Sequence, residues 1–289
     1  MRLRSILPAA GVALLLAAPA AVPAAGVKAG SYTGGALRDQ PALAYLLVKP
    51  GASAVDALVT SRAPCEGYPL PVQATVTFKD VPLDEDGTAT ATKQIDDTAV
   101  GPEGQSARES GEAALTLDVA EDGTAVGTMR LHSVFTDAQS GEQVAECDTG
   151  PVPVEMMGVP ASAGEGRARR PRRGGLYLGV VNAYPLVAQV RRSGTIDSMA
   201  FLYNSRCQQQ KRIVFVPTIT PGRKGAFRVR GTQQLFSGDG SKEDVTFQMT
   251  GRYGRDGGLR GTLRVRGELD STGAQCDSGE LKWRAARAG

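Results

Sequence analysis

Two segments of this 289-residue chain match each other without a gap, "DGTAVGTMRL" at residues 122–131 and "DGGLRGTLRV" at residues 256–265. Shorter matches accompany them in the same order: Gly-x-Tyr-x-Gly at 30–34 and 175–179, an Arg shortly before Cys65 and Cys207, and Cys-Asp-(Thr/Ser)-Gly from 147 and 276. Four matching elements in one order predict two tandem copies of one domain, at residues 29–157 and 175–287. The chain length suits two domains of ordinary size.

Within each copy, apolar side chains recur at every second position. In "DVTFQMTG", Val245, Phe247 and Met249 share one face, and polar residues occupy the other. Leu263 and Val265 alternate with arginines in the same way. A period of two is typical of β-strands with one buried face. The sequence therefore predicts an all-β protein.

Asp-Gly pairs separate several of the alternating runs, at residues 86–87, 122–123 and 256–257. Asp-Gly is a strong hairpin signal, and it favours type I′ turns, in which both central residues have positive φ. Consecutive hairpins form an antiparallel meander. We therefore predict that each copy is a closed or nearly closed β-barrel, with a β-sandwich as the alternative.

The N-terminal 25 residues have the features of an export signal. Arg2 and Arg4 precede an apolar run at residues 6–18, and small residues follow it. The run is too short for a stable membrane anchor. We expect cleavage between about Ala20 and Gly26, a secreted or extracytoplasmic protein, and no transmembrane segment in the mature chain.

The four cysteines divide evenly between the copies, one early and one late in each. Export to an oxidising compartment favours disulfides over free thiols. The pairing that respects the copies joins Cys65 to Cys147 and Cys207 to Cys276, which gives one disulfide per domain.

The charge is unevenly distributed. Residues 27–160 contain 8 Lys/Arg and 20 Asp/Glu, whereas residues 175–289 contain 18 Lys/Arg and 9 Asp/Glu. Between the copies, residues 158–174 are rich in Gly, Pro and Arg, which is typical of a solvated linker. Two interpretations follow: the acidic and basic halves attract each other in a salt-sensitive way, or the basic half faces an anionic partner.

Basic side chains in the second copy alternate with its apolar set, so they are expected on one outer face. The predicted stripe comprises Arg228, Arg230, Arg260, Arg264, Arg266, Lys282 and Arg284. Together with the linker it could contact an anionic cell-envelope polymer, or it could simply keep the face solvated. The aromatic residues fall on the inner face, which argues against specific nucleic-acid recognition by base stacking.

Few residues are suited to catalysis. His132 is the only histidine, which disfavours a Ser-His-Asp triad or a histidine-based metal site. The triplets at Asp148 and Asp277 resemble the signature of bilobal aspartic proteases, which remains a remote alternative. They close each copy instead of opening it, and only 12 residues follow Asp277. We interpret both as Asx-type turns in a non-enzymatic protein with no cofactor, no metal and no catalytic residue.

Taken together, the motifs Gly-x-Tyr-x-Gly, Arg-Cys, Gly-Thr-Leu-Arg and Cys-Asp-Ser-Gly followed by Trp283 resemble the uncharacterised exported β-rich repeat proteins of actinobacteria. That resemblance implies a compact disulfide-linked domain and export, and it assigns no activity. A binding or cell-surface-associated module is the function we expect. The alternative is a lipocalin-like carrier of a small apolar ligand, because the Gly-x-Tyr opening resembles the lipocalin Gly-x-Trp opening.

Overall fold

The structure is a computed structural model that describes residues 24, 26–37, 41–100, 106–166, 174–204, 211–236, 242–270 and 272–289. These residues contain 18 β-strands and no helix. The strands form two antiparallel sheets, one in each predicted domain. The all-β prediction is therefore confirmed, and the N-terminal 23 residues of the predicted signal lie outside the described residues.

The first domain contains nine strands. They are β1 (Gly30–Ala36), β2 (Ala42–Val48), β3 (Ala54–Glu66), β4 (Tyr68–Pro82), β5 (Thr88–Val100), β6 (Ser106–Val119), β7 (Thr124–Asp137), β8 (Gln143–Asp148) and β9 (Val152–Met157). Their order in the sheet is β4-β3-β2-β1-β9-β7-β6-β5, and β8 pairs with β3 and β7.

The second domain also contains nine strands. They are β10 (Gly175–Val181), β11 (Tyr184–Val190), β12 (Ile196–Asn204), β13 (Lys211–Val216), β14 (Ala226–Phe236), β15 (Lys242–Tyr253), β16 (Leu259–Leu269), β17 (Gln275–Asp277) and β18 (Leu281–Arg287). Their order is β13-β12-β11-β10-β18-β16-β15-β14, and β17 pairs with β16. Each strand occupies the place of its counterpart in the first sheet.

The first sheet curves into a nearly closed barrel because its width changes along the strands. At one end, β2, β1 and β9 lie between β3 and β7, whereas at the other end β8 alone pairs with both. Replacing three strands by one draws β3 and β7 together. Cys65 and Cys147 face each other across β3 and β8 and form the predicted disulfide.

The second disulfide is described only in part. Cys276 lies on β17 opposite Gly267 and is disulfide-bonded. Its predicted partner, Cys207, lies outside the described residues.

The Asp-Gly hairpins form where the sequence predicts them, but their turn type differs. At residues 84–88, the Gly87 amide bonds to the Asp84 carbonyl and the Asp84 amide bonds to the Thr88 carbonyl. Gly87 has positive φ, and Asp86 does not. This is a three-residue loop with a glycine bulge, so the type I′ prediction is wrong. Asp86 instead accepts the Thr88 amide, at 3.1 Å, which an Asp with ordinary φ can do.

The two barrels have different cores. Small and aliphatic side chains, such as Ala44 and Leu115, predominate in the first, beside the aromatic rings of Tyr32, Phe78 and Phe135. The second is aromatic: Phe201 and Phe247 pack edge to face, and their rings are at most 1% exposed. The inward faces predicted from the alternation are confirmed. Both interiors are occupied by side chains, as in other barrels of about eight strands.

The domains dock through an apolar interface on the outer faces of β1 and β2 in the first domain and β10 to β13 in the second. Its buried members are Leu43, Leu178, Val187, Ala200, Leu202 and Ile213. Arg62 of the first domain also lies over the ring of Phe215, 4.6 Å from its centroid. The contact is therefore hydrophobic at its centre.

Candidate binding surface

The Cys-Asp-(Thr/Ser)-Gly elements form the same turn in both domains. Asp148 Oδ1 accepts the Gly150 amide at 2.7 Å, and Asp277 Oδ1 accepts the Gly279 amide at 2.9 Å. These are the predicted Asx-type turns. Each turn follows a short strand whose last two residues are a disulfide-bonded cysteine and the aspartate.

Arginines of the same domain bind both aspartates. Arg130 donates to Asp148 through Nε at 3.2 Å and Nη2 at 2.6 Å. Arg264 Nε donates to Asp277 at 2.9 Å, and Arg266 Nε donates at 3.2 Å. The Arg264 bond, followed by the Gly279 amide, holds the pKa of Asp277 far below its usual range. Both carboxylates are thus charged structural groups, which is unlike an aspartic-protease pair sharing one proton.

The hydroxyl next to each aspartate fills a gap in the pairing along one side of an inner strand. β7 pairs with β9 up to Met129 and with β8 from His132, so Leu131 lies between the two partners. Thr149 bridges this gap, because its Oγ1 accepts the Leu131 amide at 2.9 Å. In the second domain, Ser278 Oγ accepts the Val265 amide at 2.9 Å. The motif therefore has a structural role at the point where β7 or β16 changes partner.

The structure brings all seven residues of the predicted basic stripe onto one face. Residues paired across β14, β15, β16 and β18 form rows that run at right angles to the strands. One row begins at Arg228 and ends at Lys282, and another contains Arg230 and Arg264. Arg260 is paired with Arg284. We call this outer surface of the four strands the basic face.

Sequence reasoning missed one member of the basic face. Arg252 lies at the end of β15 opposite Arg260, with its side chain exposed. The signal was present, because Arg252 is two residues beyond the outward Thr250 in the same alternating run.

Two pairs of these cations already have partners. Arg264 and Arg266 both bind Asp277. Arg260 donates to the carbonyls of Ala161 and Ala163 at 3.2 and 3.1 Å, and Arg284 donates to the Pro160 carbonyl at 3.1 Å. In the part of the chain that the structure describes, no carboxylate is within ion-pair distance of Arg228, Arg230, Arg252 or Lys282.

The Arg260 and Arg284 bonds revise the linker prediction. Ala163 is 1% exposed, the Gly164 amide donates to Asp256 at 2.9 Å, and the Arg255 amide donates to the Glu165 carbonyl. The first part of the segment predicted as a solvated tether is therefore packed on the second domain. The five linker arginines, at residues 167, 169, 170, 172 and 173, lie outside the described residues.

A pocket of about 200 Å³ opens at the rim of the second barrel. Phe201, Leu263 and Leu281 form its apolar wall, and Asn182 and Asn204 lie at its exposed edge. The volume is smaller than the 300–1,000 Å³ typical of sites that enclose a drug-sized ligand. It suits a single small ring better than a lipid or a cofactor.

The described residues form neither a histidine-based catalytic site nor a metal site. His132 Nε2 lies 2.9 Å from Glu146 Oε1 on the outer face of the first domain. A search of the described ranges finds no cluster of His, Cys, Asp or Glu suited to a metal ion. The same ranges contain no helix that could cross a membrane. No protein-family model and no curated protein matches the chain.

Proposed function

We propose that this is an exported, non-enzymatic binding module whose second domain contacts an anionic polymer of the cell envelope. The observation that carries the proposal is the basic face, where Arg228, Arg230, Arg252 and Lys282 project from strands β14, β15 and β18 of one sheet. Cations fixed at strand spacing can meet several anionic groups of a polymer at once.

The basic face differs from a merely solvated surface in the distribution of its charges. Asp277 lies beside Arg264 and Arg266, and the exposed Asp244 and Glu268 lie opposite each other farther along β15 and β16. The row from Arg228 to Lys282 has no described counter-ion. A surface built only for solubility has both signs interspersed. The uncompensated row favours an anionic partner.

Affinity chromatography on an immobilised sulfated polysaccharide tests the proposal with the full mature chain. The triple variant Arg228→Ala/Arg230→Ala/Lys282→Ala should elute at clearly lower salt than the parent. The matched control removes the same charge from turns of the same domain, as Arg192→Ala/Arg223→Ala/Lys224→Ala. Equal elution of the two variants would contradict the proposal, because net charge alone would then explain retention.

The carrier alternative has less support. Aromatic side chains such as Phe201, Phe247 and Trp283 occupy the second barrel, and each is at most 3% exposed. A lipocalin-like carrier needs an apolar cavity large enough for its ligand inside the barrel. The pocket at the rim is small and has exposed amides at its edge.

A further inference from the structure

We infer that the rim pocket of the second domain binds one sugar unit of an acidic polysaccharide whose charged groups lie along the basic face. The inference rests on the proposed function and adds the chemical class of the polymer. The side chains that line the pocket carry no charge.

The pocket combines an apolar wall with amide groups at its edge. Leu281 is the partly exposed aliphatic side chain of the lining, whereas Phe201 and Leu263 are at most 1% exposed. Asn182 and Asn204 offer both donors and acceptors. Tyr184 adds a partly exposed aromatic ring. A sugar ring needs these same groups, because its C–H face packs on apolar and aromatic surface and its hydroxyls both donate and accept hydrogen bonds. A bare phosphate or sulfate would instead need cations inside the pocket.

The pocket adjoins the basic face through the two strands that they share. Leu263 and Leu281 pair across β16 and β18 and line the pocket. The next residue on each strand, Arg264 or Lys282, points to the opposite side of the sheet. Leu281 is the first residue of β18, so Lys282 lies beside this rim on the outer face of the sheet.

The aromatic lining of the pocket differs from the matched positions of the first domain. In the second domain, Phe201 on β12 pairs with Leu186 on β11. The corresponding pair in the first domain is Val59 and Ala44. Two residues further along, Tyr203 of the second domain corresponds to Ser61. The larger aromatic side chains of the pocket therefore occur in the basic domain alone, where an acidic ligand is favoured.

Calorimetric titration of the full mature chain tests the inference with three defined probes. They are a uronic-acid oligosaccharide, a neutral oligosaccharide of equal length and a linear polyphosphate of equal charge, at about 150 mM salt. The pocket variant is Asn182→Gly/Asn204→Ala. Asn182 has a φ of 56°, so glycine keeps the backbone conformation while removing the amide.

The pocket variant should weaken binding of the uronic-acid oligomer by about tenfold and leave polyphosphate binding within about twofold, since two hydrogen-bonding amides are lost without any charge. An unchanged affinity for the uronic-acid oligomer, or an equal loss for both anions, would overturn the inference. The Arg228→Ala/Arg230→Ala/Lys282→Ala variant separates the two proposals, because it should weaken both anions. If it weakens neither, the proposed function itself fails.

A membrane surface is the competing source of anionic groups. Vesicles containing phosphatidylglycerol should bind the pocket variant as well as they bind the parent chain. A loss of vesicle binding in the pocket variant would assign the pocket to a lipid headgroup and overturn the glycan inference.

Discussion

The side chain of Gln73, on β4 of the first domain, pairs with the backbone of Ile213 on β13 of the second. Its Oε1 accepts the Ile213 amide at 3.0 Å, and its Nε2 donates to the Lys211 carbonyl at 2.7 Å. Gln233 extends the pattern, because it donates to the Ile213 carbonyl and accepts the Phe215 amide. The two side-chain amides thus bond to four consecutive backbone groups along the edge of β13, from the Lys211 carbonyl to the Phe215 amide. These bonds block the addition of another strand at this edge.

Replacing Gln73 by alanine should lower the free energy of unfolding by about 1–3 kcal/mol, because a backbone donor and acceptor at the domain interface lose their partner. Urea unfolding followed by far-UV circular dichroism measures the change. Gln94→Ala is the matched control, since Gln94 bonds only to Glu112 on an exposed surface and its loss should cost less than about 0.5 kcal/mol. Equal effects of the two substitutions would show that the Gln73 pairing adds nothing.

Thr149→Val keeps the shape of the side chain and removes the hydroxyl that accepts the buried Leu131 amide. The unpaired amide should destabilise the protein by about 1–3 kcal/mol. Thr128→Val, at an exposed position of β7, the strand of Leu131, is the control. If both variants unfold at the parent's urea midpoint, Thr149 does not bridge the gap between β8 and β9.

Asp277 should make stability fall in acid. Its pKa in the folded state is depressed, chiefly by the Arg264 hydrogen bond, so its charged form is favoured by folding. That contribution is fully present above the unfolded-state pKa of about 3.9 and is lost as the pH falls towards the folded-state pKa.

The Asp277→Asn variant should therefore be less stable than the parent at pH 7 and should lose less stability below about pH 4. Thermal unfolding across this pH range checks the difference. Glu280→Gln makes the same charge change at an exposed neighbour. Parallel stability curves for the parent and Asp277→Asn would contradict the role given to the ion pair.

Removing the first disulfide as Cys65→Ser/Cys147→Ser should destabilise the first domain by up to about 4.5 kcal/mol, because the bond closes a loop with a sequence separation of 82. Urea unfolding at equal protein concentration gives the value. A loss of stability below about 1 kcal/mol would mean that residual structure around the β3 and β8 segments already restricts the unfolded chain without the disulfide.

Domain docking should be insensitive to salt, since Leu178 and Val187 lie in an apolar interface. The radius of gyration from small-angle scattering should agree at about 0.05 and 1 M NaCl, where the Debye length falls from over 10 Å to about 3 Å. Leu178→Glu should increase it by separating the domains. Expansion of the parent at high salt would instead support attraction between the acidic and basic halves.

The parts of this fold that sequence predicted are those set by local pattern. Alternation placed Val245, Phe247 and Met249 on the buried face, and the order of the matching motifs identified the Cys65–Cys147 pair. Two apolar runs in the sequence also indicate the docking face of the second domain. The runs "GLYLGVV" and "MAFLYN" are apolar at nearly every position, which is typical of strands buried on both faces.

Other features depend on contacts between distant residues. Gln73 and Lys211 are 138 residues apart, and nothing in the sequence around Gln73 identifies a partner in the second domain. The bonds of Arg260 to the Ala161 and Ala163 carbonyls could not be predicted for the same reason, because these acceptors lie in the distant segment predicted to be a free linker. The basic face could be predicted because it follows the period of the strands, whereas the pocket requires the three-dimensional arrangement of β10, β12, β16 and β18.

Trp283 lies over Gly251, where any side chain would collide with its ring, and its Nε1 donates to the Thr250 carbonyl at 3.0 Å. It is the only tryptophan in the chain. Its fluorescence therefore reports on the second domain alone, while circular dichroism reports on both sheets. If the docked domains melt as one cooperative unit, the two signals will change together, and a gap between them will give the stability of each domain separately.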